Sequence, residues 1–218
     1  MDRVLEPELM DDRAQAIAYA KADFSASNQL FVDGFVRECR AHLGSVVDLG
    51  CGPGDIDIRL ARTAPTIAIT AVDGSPPMLA IAKRAVRAAG VESRVTLLHG
   101  VLPNLRLDAH SFDAVLSKDL LHHLPNPSVL WHEIDRLGRS GAAVYVMDLV
   151  RPATRHAAQR IVDAVAPHED PILRQDFFNS LCAAFTVDEV AGQLRAARLD
   201  LDVAQVSDRH MLIKGLLR

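Results

Sequence analysis

The chain has 218 residues, more than one unit of ~150 residues and fewer than two, so the first expectation is one domain with additions. Apolar residues make up 49% and charged residues 24%, which matches ordinary globular chains and excludes disorder, a collagen-like repeat or a coiled coil. A net charge of −4 and a pI near 6.1 give no bulk attraction for phosphate backbones, so nucleic acid is not an expected partner.

Residues 1–44 hold eight acidic and five basic residues, a solvated face rather than a docking patch. Cys39, Cys51 and Cys182 are dispersed, without a CxxC spacing, and their odd number argues against a disulfide scaffold. The first residues are acidic and lack an apolar signal core. No run of 18 apolar residues occurs, so no membrane partner is expected. Together these point to the cytoplasm.

In chain order, residues 8–42 read as two helices. Leu9, Ile17 and Ala20, then Leu30, Phe31, Phe35 and Val36 recur at helical spacing, with Ser25 as N-cap of the second. SVVDL (45–49) reads as a buried strand and runs into the cluster Gly50-Cys51-Gly52-Pro53-Gly54. A helix with Ile56, Ile58, Leu60 and Ala61 follows, then the strand 67–72. Ser75 caps the next helix, with Pro77 at its first position and Gly90 ending it. RVTLL (94–98) and FDAVLS (112–117) read as strands, 127–138 as a helix, and AAVYVMDLV (142–150) as a fifth strand, apolar throughout.

This alternation predicts an α/β fold, a Rossmann-like doubly wound sheet with helices on both faces. The rhythm then breaks into two helices at 154–166 and 171–185. Thr186-Val187-Asp188-Glu189 is a capping box opening a helix to Arg198. Strands at 201–207 and 210–217 are placed to form an antiparallel hairpin, making a mostly parallel seven-stranded sheet with an antiparallel last strand.

A glycine-rich turn from strand to helix lets a ligand approach the backbone, because no Cβ intervenes. Here the spacing is G-x-G-x-G rather than G-x-G-x-x-G, and Asp48 precedes it. An acid at that point repels pyrophosphate and suits an ammonium or sulfonium. A second acid, Asp73, ends the second strand 19 residues after Gly54, where a carboxylate can accept from both ribose hydroxyls. A ribose with positive charge and no phosphate describes S-adenosylmethionine.

VVDLGCGPG, then AVDGS, then FDAVLSKDLLHHLPNP resemble the class I S-adenosylmethionine-dependent methyltransferases of small-molecule type, over about residues 45–150. The resemblance implies that Gly50, Cys51, Gly52 and Gly54 line the methionine moiety, that Asp48 helps hold its ammonium, and that Asp73 grips the ribose. Gly74, Ser75 and Met78 would border the adenine. Family members often carry an acid after the third-motif glycine; here stands His99-Gly100-Val101, so only the backbone of Gly100 and Val101 is offered, and Asp108 lies too far along. Ser117 and Lys118 would meet the methionine end through their backbone. No metal is implied, since neither H-E-x-x-H nor a Cys/His zinc spacing occurs.

In-line methyl transfer needs positioning above all, and a general base only where the acceptor is protonated, as a hydroxyl is. The candidate base is in the pair His122-His123, of which at most one faces the acceptor. Tyr19, Asp23 and Phe24 would close the site from an N-terminal helical lid (1–44). The core spans 45–150, a helical cap 151–185, and the last helix and hairpin 186–218, all within one methyltransferase domain. From the cap, Arg151, Arg174, Asp176, Phe178 and Asn179 are candidates for acceptor contacts, with Arg209-His210 at the last strand. Two other readings of these residues stay open: a module that binds the cofactor without turnover, and an enzyme using a carboxylated donor held by Arg151 or Arg209. A nicotinamide oxidoreductase is disfavoured by the glycine spacing and by Asp48.

Overall fold

The computed structural model describes residues 1–6, 12–39, 44–103 and 105–218. Leu9 and the outer ends of the helical reading over 8–42 lie outside the described residues. Within them are α1 (Arg13–Lys21), α2 (Ser25–Glu38), β1 (Ser45–Leu49), α3 (Asp55–Thr63), β2 (Ala68–Asp73), α4 (Pro76–Ala89), β3 (Val95–His99), β4 (Phe112–Lys118), α5 (Ser128–Leu137), β5 (Gly138–Leu149), α6 (Arg155–Val165), α7 (Pro171–Ala183), α8 (Val187–Ala197), β6 (Asp202–Gln205) and β7 (His210–Leu216). A single 3-10 turn, Leu121–His123, follows β4.

The strands form one sheet in the order β3-β2-β1-β4-β5-β7-β6. β1 pairs in parallel with β2 and β4, and β7 runs antiparallel between β5 and β6. The order in which the strands are laid down reverses at β1, so that β2 and β4 flank it, and this is the switch point where ligands of such sheets bind. Neighbouring residues face opposite sides. Val46, Ala114, Leu116 and Tyr145 pack with Phe31 and Phe35 of α2 and Leu60 of α3, whereas Val47, Val115, Val144 and Val146 pack with Leu130, Trp131 and Ile134 of α5 and Val190 and Leu194 of α8. That period of two is why the central strands read as apolar runs: both faces are covered.

Local chemistry sets the element ends. Ser75 accepts from the Met78 amide, Gly90 ends α4 in the left-handed region, and the Thr186–Glu189 capping box is complete. Several boundaries differ from the sequence reading: β5 opens at Gly138 rather than at 142, β6 is shorter, and two helix starts move. Pro76 rather than Pro77 opens α4. Ser25 is the first residue of α2 rather than its cap, because the Asp23 carboxylate already accepts the Ser25 N–H at 2.9 Å.

α6 and α7 carry a small cluster of their own, Ala158, Val162, Leu181 and Ala184, against Leu149 at the end of β5. α7 packs on the 3-10 turn and on α1, and α1 also touches α4. The N-terminal helix and the α6–α7 pair therefore both lie at the carboxyl ends of the central strands.

Candidate functional site

The glycine turn is built by its own hydrogen bonds. The Gly50 and Cys51 amides both donate to the Val72 carbonyl, at 2.8 and 2.9 Å, which ties the loop to the end of β2. Gly50, Gly52 and Gly54 have φ of 82°, 53° and 81°, a region that penalises any side chain. The space around them differs. A Cβ at Gly50 would press on Leu120, and one at Gly54 on Ala82, whereas at Gly52 nothing lies within 4 Å. The first and third glycines permit close packing; the middle one leaves room for a ligand.

That room is part of an open cleft lined by Gly50, Gly52, Asp73, Gly74, Ser75, Met78, Gly100, Val101, Lys118 and Tyr19. A neighbouring cavity is lined by Asp48, Cys51, Asp23, Phe24 and, again, Tyr19 and Lys118. Thus every expected cofactor residue but two reaches one of these two spaces. Gly54 packs instead against Ala82 of α4. The other exception is Ser117. Its buried hydroxyl donates to the Leu49 carbonyl at 2.8 Å and stitches β4 to β1.

Asp73 sits at the rim, its Oδ2 accepting the Gly52 amide at 2.7 Å and its Oδ1 the Ser75 amide at 2.8 Å. These two bonds make it the residue that shapes the loop. His99, on the neighbouring strand, lies 3.0 Å from the Gly74 carbonyl through Nε2. In place of the missing acid, the wall here is Gly100, Val101 and Leu102.

Behind the loop, Asp48 is 3% exposed and Asp57, on the first turn of α3, is fully buried. Burial, then the Asp73 charge, raises Asp48 to about 7, with Lys118 and a hydrogen bond with Asp57 opposing. Burial, then Asp48, pushes Asp57 well above the usual carboxylate range. Both are too dry to be ionised together. Asp48 Oδ1 and both Asp57 oxygens have no other hydrogen-bond donor among the described residues.

At the far end of the first cleft is the histidine pair. His123 lines the cleft, while His122 is 2% exposed behind it, the rings 4.2 Å apart. Asp148 of β5 holds His122 through Nδ1 at 2.8 Å and accepts the Leu121 and Leu149 amides, each at 2.8 Å. Burial alone would lower His122; the Asp148 charge and hydrogen bond, aided by Glu6 and Asp119, outweigh it and bring it to about 8. Glu6 Oε1 lies 3.4 Å from His122 Nε2 and 3.2 Å from His123 Nδ1.

Tyr19 and Phe24 stack at 4.9 Å over the second cavity, and burial pushes the Tyr19 phenol up. Lys118 pairs with Asp119, which has φ of 59°.

The acceptor candidates of the cap are placed differently from the cofactor residues. Arg151 is committed to the Ala184 carbonyl and Glu189, Arg174 to Asp163 and the Ala166 carbonyl, and Asn179 to Gln175. Phe178 lies under Arg155, and Asp176 takes Gln15 Nε2 at 3.0 Å, joining α7 to α1. Arg209 pairs with Asp208, and His210 Nδ1 meets Ser207. None of these lines the two cavities. What the sequence reading passed over is Asp148, a lone carboxylate in a strand taken as apolar, together with Asp57, Asp119 and Glu6. Asp148 carries a visible signal, an acid at the carboxyl end of a buried strand; Glu6 carries none.

A family model described as "Methyltransferase domain" matches residues 47–146. The chain is 31% identical over 111 residues to a demethylmenaquinone methyltransferase of Porphyromonas gingivalis, covering 50% of this chain and 45% of that one. It is 32% identical over 109 residues to a ubiquinone biosynthesis O-methyltransferase of Xanthomonas oryzae, covering 49% and 43%. The chain thus spans about half the length of these curated relatives. In fold it is similar to a SAM-dependent methyltransferase from Aquifex aeolicus, with a TM-score of 0.71, 17% identity and 95% and 99% of the two chains covered. It is also similar to the plantazolicin methyltransferase BpumL, solved with SAH, with a TM-score of 0.71, 14% identity and 94% and 90% covered.

Proposed function

We propose that the chain, whose residues 47–146 match a methyltransferase domain, is a class I S-adenosylmethionine-dependent methyltransferase that transfers the methyl group of S-adenosylmethionine to a small-molecule acceptor. The observation that carries this reading is the glycine turn: a left-handed Gly52 with open space where a Cβ would stand, flanked by Asp73 on the rim and the orphaned Asp48 oxygen beneath. Both acids disfavour a phosphate and favour a ribose and a cation.

When bound, S-adenosylmethionine supplies an electrophilic methyl on a sulfonium, with a neutral thioether as leaving group. Gly50, Cys51 and Gly52 would frame its amino-acid end, Asp48 would balance its ammonium from below, and Asp73 would accept from its ribose. Gly74, Ser75, Met78, Gly100 and Val101 would enclose the adenine through apolar contact and backbone, which serves in place of a third-motif acid. Tyr19 and the backbone of Lys118 would bound the end nearest the methyl. Positioning of this kind is worth roughly 7–11 kcal/mol in well-oriented systems.

His123 forms part of the wall on the acceptor side and would take the acceptor's proton where there is one to lose, a contribution of about 10²–10⁴. His122, held by Asp148, fixes the turn that carries it. The reaction read this way calls for no metal. The described residues of the N-terminal segment, 1–6 and 12–39, and residues 151–185 act as a cover over one methyltransferase domain, with Arg151, Arg174, Phe178 and Asn179 tuning the cap from its outer layer. The acceptor is small and neither nucleic acid nor membrane. No helix among the described residues is long and apolar enough to cross a membrane, and the buried free thiols of Cys39, Cys51 and Cys182 accord with the cytoplasm.

Incubation with methyl-labelled S-adenosylmethionine and a cell extract tests the proposal. Label in a small molecule supports it. Label confined to protein or RNA overturns the acceptor class, and no label at all favours a module that binds without turnover.

A further inference from the structure

Residues 1–6 form a strap across the carboxyl ends of the strands. The Val4 amide donates to the Cys182 carbonyl at 3.0 Å. The Arg3 guanidinium lies 3.9 Å over the Phe185 ring and donates to the carbonyls of Ala183, His122 and Leu124 at 2.5, 2.8 and 3.0 Å. These contacts bring Glu6 onto the histidine pair, although 116 residues separate them in sequence.

The three side chains converge through one ligand atom each. Glu6 Oε1 is 3.4 Å from His122 Nε2 and 3.2 Å from His123 Nδ1, and all three atoms lie within 4.8 Å of one another. A tetrahedral ion with ligands at about 2.0–2.1 Å sets them about 3.3–3.4 Å apart. Both measured edges match that spacing. The side chains are dry, 9%, 3% and 15% exposed for Glu6, His122 and His123.

The outer partners also fit. Asp148 takes Nδ1 of His122, which turns Nε2 toward Glu6 and fixes that ring, the carboxylate–histidine arrangement that supports a metal-bound imidazole. Ser180 Oγ donates to Glu6 at 3.1 Å. Two imidazoles and one carboxylate suit a divalent transition ion and leave a fourth position open.

We infer that Glu6, His122 and His123 form a binding site for a divalent transition ion of the zinc class, which pins the strap across the acceptor side of the cleft. Binding displaces any proton held between Glu6 and the histidines and commits both imidazoles to the ion. The ion-loaded form therefore has neither imidazole free to take a proton from an acceptor, whereas the ion-free form keeps His123 for that role.

The full chain, stripped of metal with a chelator, is titrated calorimetrically with Zn²⁺ alone and, in parallel, with Co²⁺ as an optical probe. The expected result is one ion per chain at about micromolar affinity or tighter, intense visible bands of a tetrahedral Co²⁺ site, and at least about a tenfold loss of affinity in both Glu6→Gln and His123→Gln. Binding of S-adenosylhomocysteine by each variant serves as the folding control. No stoichiometric binding, or binding unchanged by either substitution in a variant that still takes S-adenosylhomocysteine, overturns the inference. Failure of the methyltransferase reading would show in S-adenosylhomocysteine binding and leave the zinc titration unaffected.

Discussion

Asp57→Asn should change the pH dependence of stability more than stability itself. Asp57 and Asp48 face each other away from water, and both titrate above the ordinary carboxylate range, Asp48 at about 7. The folded chain therefore holds a proton that the unfolded chain has lost. Groups raised in this way stabilise fully below their unfolded value, near 4, and that stability is lost as pH rises through the folded value. Moving one carboxyl from 3.8 to about 7 corresponds to roughly 4 kcal/mol.

The amide that replaces the Asp57 carboxyl would keep its shape, donate to Asp48 and remove one ionisation, so Asp48 no longer meets a like charge there. Urea unfolding of both proteins between about pH 5 and about pH 8 measures the difference, in which titrations common to the two cancel. The wild type should lose stability steeply on the alkaline side. The variant should follow a flatter curve and be the more stable by a few kcal/mol at the alkaline end. A variant curve parallel to the wild type, or a loss that is equal at every pH, would refute the shared proton.

Gly52→Val should abolish binding of S-adenosylmethionine, since the side chain would project into the open cleft, and should cost about 1–2 kcal/mol in urea unfolding for the left-handed backbone. Gly50→Ala should instead lower stability more, because its Cβ presses on Leu120 at 3.0 Å. Asp148→Ala leaves the Leu121 and Leu149 amides and His122 Nδ1 without their buried acceptor; unfolding should show a loss of about 2–5 kcal/mol, and turnover should fall more than cofactor affinity.

The order of strands and helices was legible because each central strand is apolar on both faces and each helix carries its own start and stop chemistry, as at Ser75, Gly90 and Thr186. The glycine cleft was legible for a related reason: Asp48 and the glycines are nearly consecutive, Asp73 ends the next strand, and one strand-helix-strand unit places them. The surroundings of the histidine pair were not. Glu6, His122 and Asp148 meet only through the sheet and the strap, and no local spacing announces a contact over more than a hundred residues. The basic residues of the cap were chosen by chemistry alone, and their charges are spent on capping and on pairs such as Arg151–Glu189 and Arg174–Asp163. Asp57 was hidden in plain view, since an acid in the first helical turn reads as a partner for the helix dipole until its burial is known.

The most direct test of the central claim is calorimetric titration of the full chain with S-adenosylmethionine and S-adenosylhomocysteine, in the wild type and in Asp73→Asn, with unfolding of each as control. One cofactor per chain in the wild type, and a loss of at least about tenfold in a variant that still folds, with some stability lost because the new NH2 cannot accept the Gly52 or Ser75 amide, is the outcome expected of a carboxylate that accepts from the ribose. Absence of binding, or equal affinity in a folded Asp73→Asn protein, would contradict the assignment of the glycine cleft to this cofactor.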